Sequence, residues 1–137
     1  MSISNRREFM AGASALAGLS FLSLTGCNKT NDAIRVGFML PYTGTYAKLG
    51  AAIENGFRLA LTELGDKPYG KSIDFYTVDD ESNPAKSTDY ANKIMTRDNV
   101  DVVIGTVHSG VAMGMIKVAK ETGTLVIIPN AGANAAT

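Results

Sequence analysis

Residues 34–45 read IRVGFMLPYTGT, and this stretch decides the fold. Its first seven residues form a short apolar run that Pro41 stops, which predicts a buried strand. A turn-rich segment around Gly44 follows, and apolar residues then recur with the period of a helix that Gly65 is suited to end. The apolar positions of this predicted helix are Ile53, Phe57, Ala60, Leu61 and Leu64.

The rest of the sequence repeats this alternation of strand and helix. Further strands are predicted at residues 72–78, 102–104 and 125–128. One helix is predicted after Pro84, with Ser82 or Asn83 as its cap, and another over residues 111–121. Strands that are apolar on both faces and alternate with helices predict an α/β fold, an open parallel sheet with helices on both faces. The apolar stripes of the two helices are Ala91, Ile94 and Met95, and Ala112, Met115, Ile116 and Ala119.

Length and composition exclude several classes of protein. The chain has 137 residues, which is room for one domain, and 45% of them are hydrophobic, which excludes a wholly disordered protein. The formal net charge of +0 gives no electrostatic signal for nucleic acid, so no nucleic-acid partner is expected. A single Cys and a single His exclude a disulfide framework and a Cys/His zinc cluster. We expect no metal and no cofactor.

The first 26 residues have the pattern of an export signal. Their only charges are Arg6, Arg7 and Glu8, and an apolar run over residues 9–24 is shorter than the roughly 20 residues that span a bilayer. Residues 24–27 read LTGC and resemble a bacterial lipobox, in which the peptide is cut before the Cys and the Cys is lipidated. The resemblance implies a lipid anchor on Cys27, with residues 27–33 as a tether, and an exported periplasmic or cell-envelope lipoprotein. The alternative is that Cys27 is a small core residue.

The export route is less clearly indicated than the lipid anchor. Residues 5–10 read NRREFM and resemble the twin-arginine motif, with Arg6 and Arg7 as its arginine pair. Asn5 and Met10 depart from the usual Ser and Leu. A plain Sec signal, which needs only the positive charge, therefore remains open as the alternative route.

Candidate functional residues lie just after each predicted strand, because ligands of open α/β sheets bind outside the carboxyl ends of the strands. Gly105 and Gly110 have the spacing of a phosphate loop, but the Lys that such a loop requires is missing. His108 and Ser109 invite a serine-hydrolase interpretation, although adjacent residues rarely orient for proton transfer and no GxSxG elbow is present. Residues 79–81, Asp-Asp-Glu, could hold a metal, but an acidic, solvated turn before a helix is favoured.

Ser109 supports a simpler interpretation. A helix is predicted to begin there, so backbone N–H groups and the Ser hydroxyl converge on one point, and Ser109 could also cap the helix. Such a point binds a carboxylate or another anion and needs no catalytic base. The sequence therefore predicts an anion-binding site at the start of the third helix.

An ordered set of short segments carries a resemblance to a known family. The segments are residues 36–50 (VGFMLPYTGTYAKLG), Asn55-Gly56, Asp79-Asp80, Asn83-Pro84, residues 103–105 (VIG), Ser109-Gly110 and residues 128–132 (IPNAG). In this order they resemble the leucine/isoleucine/valine-binding family of periplasmic substrate-binding proteins that serve ABC transporters. The resemblance runs from about Ile34 to the last residue and implies lobe one of a type I periplasmic binding protein fold, in which two lobes close over a small molecule.

The resemblance also implies roles for individual residues. Ser109, flanked by His108 and Gly110, matches the position that holds a ligand carboxylate in the amino-acid binders of the family. The loop of Asn130, Ala131 and Gly132 matches the turn that contacts the ligand ammonium. Leu49 matches a position that lines the pocket, and Thr43 lies in the loop after the first strand and joins the predicted site.

Three departures from the family pattern bear on function. Gly132 stands where the family usually has Thr or Ser, so the ammonium contact loses a hydroxyl. Ser82 and His108 occupy positions that form a disulfide in some members, so no such disulfide forms. The resemblance implies a second lobe and a hinge that these 137 residues do not supply, so residues 34–137 are expected to form an incomplete N-terminal lobe.

The expected function is therefore that of a binding protein and not of an enzyme. It captures a branched-chain amino acid or a related small carboxylate or amide and delivers it to an ABC permease. The alternatives are a receiver-like or flavodoxin-like α/β module and, with less support, the serine hydrolase. A receiver would carry its acidic pair after the first strand, whereas here the pair follows the second.

Overall fold

The computed structural model describes residues 33–65 and 67–134. The predicted export signal, the lipid anchor on Cys27 and the tether up to residue 32 lie outside the described residues. Within them, no helix has the length and apolar character that crossing a membrane requires. The elements are β1 (Ile34–Leu40), α1 (Ala47–Leu64), a 3₁₀ turn (Pro68–Gly70), β2 (Ile73–Asp79), a second 3₁₀ turn (Pro84–Lys86), α2 (Ser87–Asn92), a π-helical turn (Lys93–Arg97), β3 (Val102–Gly105), α3 (Ser109–Thr122) and β4 (Leu125–Ile127).

The four strands form one parallel sheet in the order β2-β1-β3-β4. Val36 in β1 pairs with Phe75 in β2 on one side and with Val102 in β3 on the other. All four carboxyl ends therefore lie at the same edge of the sheet. The predicted open parallel sheet is confirmed.

Helices cover both faces of this sheet, as the sequence predicts. On one face, α2, the π-helical turn and α3 bury the predicted apolar residues of both helices. On the other face, Phe38 packs edge-on against Phe57 of α1 at 5.4 Å and stacks on Phe75 at 5.8 Å between ring centroids. The guanidinium of Arg58 lies 4.1 Å from the centre of the Phe75 ring and covers it from the α1 side.

The apolar stripe predicted for α1 is wrong in its last turns. Ile53 and Phe57 pack against the sheet, but Ala60 is exposed and Leu64 is 62% exposed. A cavity of about 340 Å³ separates this end of the helix from β2, with Leu61 in its wall. The end of α1 therefore stands off the sheet, although Gly65 ends the helix as predicted.

Helices cover both faces of the sheet as predicted, but among the described residues β4 is covered on one face only. Val126 and Ile128 pack beneath α3, whereas Leu125 and Ile127 point to the other face and are 63% and 49% exposed. The reason is topological, since α1 lies over β1 and β2 and no described element lies over β4, the edge strand. One apolar face of β4 is thus open.

The starts of the later helices follow from local capping. Asn83, one of the two predicted caps, accepts a hydrogen bond from the Ala85 amide at 3.0 Å, and Pro84 occupies the first turn. The third helix begins at Ser109, where the anion-site interpretation places it and two residues before the predicted apolar stretch at 111–121. Its cap is His108 and not Ser109, because the His108 Nδ1 atom accepts a hydrogen bond from the Gly110 amide at 3.0 Å.

Candidate functional site

The site lies where the strand order reverses. From β1 the chain crosses by α1 to β2 on one side, and from β2 it returns across the sheet to β3 on the other side. Ligands of such sheets bind outside the carboxyl ends of the strands at this switch point, here between β1 and β3. Met39 of β1 pairs with Gly105 of β3, so the loops that follow the two strands leave the sheet side by side. The predicted site residues Thr43 and His108–Gly110 lie in these loops or at their ends.

The start of α3 supplies the free hydrogen-bond donors of this site. His108 satisfies three amides of the first turn, because its ring takes the Gly110 N–H and its carbonyl accepts from Val111 and Ala112 at 3.0 Å each. Within the described part of the chain, the N–H and the hydroxyl of Ser109 have no hydrogen-bond partner, and the residue is exposed. In the first turn of α3, the donors available to an anion are thus those of Ser109. The sequence predicts a larger set, in which several backbone N–H groups join the Ser hydroxyl.

Two carboxylates at the end of β2 hold the neighbouring loops. Asp79 accepts hydrogen bonds from the Tyr42 amide at 2.9 Å, from the Thr43 hydroxyl at 2.8 Å and from the Glu81 amide at 2.9 Å. Asp80 is fully buried and accepts from the hydroxyl of Thr106, which is also fully buried, and from the Ser82 amide at 2.8 Å. The acidic segment thus connects the loops after β1 and β3.

The pKa values of these two carboxyl groups are shifted in opposite directions. Burial alone would raise the pKa of Asp79, but its hydrogen bonds from Tyr42, Glu81 and Thr43 outweigh that effect and hold the pKa below its ordinary value. Burial raises the pKa of Asp80 above its ordinary value, although the hydrogen bonds from Thr106 and Ser82 oppose the rise. The interpretation of residues 79–81 as a merely solvated turn is therefore wrong for Asp80.

Leu49 belongs to the same edge of the sheet, at the start of α1. The neighbouring Gly50 is buried, and a Cβ atom placed on it would lie 1.9 Å from the Pro41 carbonyl oxygen. Only glycine allows this close approach, which seats the first turn of α1 on the end of β1. Leu49 itself is 39% exposed, so its side chain is open at this edge.

The loop after β4 also leaves the carboxyl edge, next to the loop after β3. Asn130 and Gly132 are exposed and Ala131 is half-buried. None of the three forms a hydrogen bond with another described residue. Their predicted contact with a ligand ammonium stays a prediction, as do the ligand contacts of the other site residues.

The geometry also bears on the alternative functions. The His108 ring accepts from a backbone amide, and no hydrogen bond joins it to the Ser109 hydroxyl, so this pair lacks the nucleophile–base contact of a hydrolase. Among the described residues, no three His, Cys, Asp or Glu side chains group as metal ligands would. The strand order is compatible with a flavodoxin-like sheet. The acidic pair that a receiver-like module would use lies at the end of β2, and its carboxylates bind the neighbouring loops.

Sequence reasoning missed Thr106 and the inward direction of Asp80. Thr106 directly follows β3 and its hydroxyl reaches Asp80 across 26 positions of the chain. The available signal was the polar residue after each of β2 and β3, the two strands that flank β1, since parallel strands bring their carboxyl ends to one edge of the sheet. Pattern alone could not show which of the two adjacent carboxylates turns inward.

Comparison with known proteins identifies the family. A family model described as periplasmic binding protein matches residues 33–137. The Leu/Ile/Val-binding protein BraC3 of Rhizobium johnstonii is 32% identical over 88% of this chain and 32% of its own length. The chain thus spans about a third of the length of the curated relatives it matches.

Solved structures agree with this assignment. A solute-binding protein of an ABC transporter from R. palustris, crystallised with benzoate, is 53% identical, with a TM-score of 0.71 over 74% of this chain and 28% of that one. The branched-chain amino acid binding protein LivJ of Streptococcus pneumoniae, crystallised with isoleucine, is 27% identical, with a TM-score of 0.68 over 74% of this chain and 30% of that one. These are binding proteins and not enzymes, as predicted. The chain belongs to the periplasmic binding protein family.

Proposed function

We propose that this chain forms ligand-binding lobe one of a solute-binding protein of an ABC transporter, and that it captures a small carboxylate, with benzoate-like aromatic carboxylates preferred. The observation that carries the proposal is the start of α3, where Ser109 presents an N–H and a hydroxyl that no described residue uses. A carboxylate has the charge and the acceptor geometry for these two donors, and the helix terminus adds a favourable dipole.

The lobe offers little for an amino group. Gly132 has no hydroxyl at the position where the family usually contacts the ammonium. The carboxylate of Asp79 is occupied by three hydrogen bonds, and Asp80 is fully buried. The identity of 53% to a protein crystallised with benzoate, against 27% to one crystallised with isoleucine, points in the same direction.

A branched-chain amino acid is the second candidate. The curated relatives at 32% and 34% identity carry the name Leu/Ile/Val-binding protein. The loop after β4 retains backbone carbonyls that can accept from an ammonium. A ligand of this kind would need a further acceptor from outside the described residues.

Calorimetric titration of the complete polypeptide that the gene encodes tests the ligand class. We expect benzoate to bind more tightly than benzamide and more tightly than leucine. Ser109→Ala should weaken benzoate about ten- to a hundredfold, since a hydrogen bond to a charged group contributes about 1.5–3 kcal/mol, or less if the remaining amide compensates. Ser72→Ala, an exposed serine before β2 at the opposite edge, is the matched control and should leave binding unchanged.

Each contrary result identifies a different error. Leucine binding with no benzoate binding would replace the aromatic carboxylate by the amino acid. Tighter binding of benzamide would overturn the carboxylate assignment. Equal benzoate affinity of wild type and Ser109→Ala would place the anchor elsewhere in the cleft.

Export and anchoring complete the proposal. Residues 1–26 serve as the signal, Cys27 carries the lipid, and the protein delivers its ligand to permease subunits at the membrane. Lipid chains on Cys27 would hold the protein at the membrane in place of a membrane helix. Each methylene buried in the bilayer contributes about 0.8 kcal/mol of binding free energy. Metabolic labelling with a palmitate analogue should mark the wild type and leave Cys27→Ala unmarked. Equal labelling of both would contradict the anchor.

A further inference from the structure

The two carboxylates at the end of β2 reach in different directions. Asp79 binds the loop after β1 through Tyr42 and Thr43, whereas Asp80 binds the loop after β3 through Thr106. The backbone N–H of Asp80 also donates to the Leu40 carbonyl at 3.0 Å. Three strand ends are therefore joined at one acidic pair.

Thr106, the partner of Asp80, lies three residues before Ser109, the first residue of α3. The side chains of Asp80 and Thr106 are fully buried, and only Val107 and His108 separate Thr106 from Ser109. His108 then fixes the first turn of α3 through its ring and its carbonyl. A displacement of Thr106 would therefore be passed through only two residues to the donors of Ser109.

The other side of this segment is fixed by packing. A Cβ atom on Gly110 would lie 2.9 Å from the Pro84 ring and 3.1 Å from the His108 ring. The first turn of α3 thus has no space to move toward Pro84. The buried hydrogen bond on one side and the Pro84 contact on the other therefore restrict the backbone around Ser109.

We propose that Asp80, acting through Thr106, is a positioning residue for the carboxylate anchor at Ser109. The inference rests on the proposed function, because it assigns a role within that binding site. Charge alone gives no reason for an acid near an anion site, since an ionised carboxylate there would repel the ligand. Its hydrogen bonds give a geometric reason, because they tie the hydroxyl of Thr106, after β3, to the turn at Ser82, after β2. Burial disfavours the charged form of Asp80 and raises its pKa, which opposes such a charge.

Thr106→Val tests this role in the complete polypeptide. Valine keeps the shape of threonine and removes the hydroxyl, so the hydrogen bond from residue 106 to Asp80 is lost. We expect benzoate to bind about tenfold more weakly and benzamide to lose less than about threefold, the range typical of changes that act on a site indirectly. Thr106→Ser restores the hydroxyl and should bring benzoate affinity to within about threefold of wild type.

Two further variants separate geometry from charge and from folding. Asp80→Asn removes the charge. Its amide oxygen can accept from the Ser82 N–H and its amide NH2 can donate to the Thr106 hydroxyl, so benzoate affinity should be retained or increased. Ser87→Ala removes another buried hydroxyl, one that donates to the Pro84 carbonyl at 2.7 Å, and should leave the ratio of benzoate to benzamide affinity unchanged. If Thr106→Val does not fold, Thr106→Ala replaces it, because its smaller side chain leaves room for water beside Asp80.

The outcomes distinguish this inference from the proposed function. If wild type fails to bind benzoate, the proposed ligand is wrong, and the positioning role is then read without ligand from the backbone amide resonances. Thr106→Val should shift the Ser109 and Gly110 amides and leave that of Lys117, further along α3, in place. Unmoved Ser109 and Gly110 amides would overturn the positioning role. So would an equal loss for benzoate and benzamide, or failure of Thr106→Ser to restore binding.

Discussion

His108 shows how one residue can take a role that the sequence assigns to its neighbour. Serine is among the preferred caps, and Ser109 stands just before an apolar helical stripe, so the pattern favours it. In the structure the imidazole of His108 accepts the Gly110 amide instead, and Ser109 becomes the first residue of the helix. The choice depends on backbone and ring orientation at this turn, which residue types alone do not specify. The result matters for function because it leaves the Ser109 hydroxyl free for a ligand.

Replacing His108 should test the cap directly. We expect His108→Ala to lower the free energy of unfolding by about 0.5–2 kcal/mol, the usual loss of a helix cap. His108→Asn, which provides an amide oxygen at the same position, should recover most of that loss. Chemical denaturation of the three proteins measures both effects. Equal stability of His108→Ala and wild type would show that the ring contributes nothing to the helix.

Asp79 makes a pH-dependent contribution to stability. Its pKa is lowered in the folded state, so the ionised group stabilises the fold above its ordinary pKa of 3.8, and this contribution is lost as the pH falls through the lower folded-state value. Asp79→Asn should therefore cost about 1–3 kcal/mol at neutral pH, since charged hydrogen bonds are weakened. The difference between the two proteins should narrow below about pH 4. A difference that stays constant down to pH 2, measured by urea unfolding, would contradict this account.

At the scale of elements, the sequence predicts order and type well because both depend on local periodicity. Every predicted strand and helix of residues 33–134 is present, with ends displaced by a few residues. The errors concern contacts between elements. The outward placement of Ala60 and Leu64 depends on how α1 tilts over β2, and the bond from Thr106 to Asp80 joins residues far apart in the chain. For the site, pattern located the loops but not the hydrogen bonds that fix them.

The packing of α2 against α3 depends on a glycine. A Cβ atom on Gly114 would lie 1.9 Å from the Ser87 Oγ atom, so Gly114→Ala should push the helices apart and destabilise the protein by about 1–3 kcal/mol. Gly56 in α1 is the matched control, because nothing lies within 4 Å of an added Cβ atom. Gly56→Ala should stabilise the protein by about 0.5–1 kcal/mol through helix propensity. Thermal unfolding of both variants measures these opposite changes in stability. Equal shifts in Tm would show that the close contact at Gly114 relaxes without cost.

At the scale of the whole molecule, the open side of β4 dominates the behaviour of the isolated lobe. Leu125 and Ile127 present apolar surface beside a strand edge that no described residue pairs, and an exposed edge of this kind pairs readily with other chains. The carboxyl edge of the sheet also carries the donors of Ser109, which are unpaired within the described residues. A single lobe also contributes only one wall of a site that normally buries most of a small ligand.

We therefore expect residues 27–137, produced alone, to associate with one another and to bind benzoate poorly. Analytical ultracentrifugation across a concentration series should show assemblies larger than a monomer. Ile127→Lys places a charge on the open face of β4 and should shift the population toward monomer, because edge strands bearing lysine resist pairing. Leu59→Lys, a charge on the 63% exposed Leu59 of α1, is the matched control and should leave association unchanged. A wild-type lobe that stays monodisperse and unfolds cooperatively would show that the open face of β4 does not drive association.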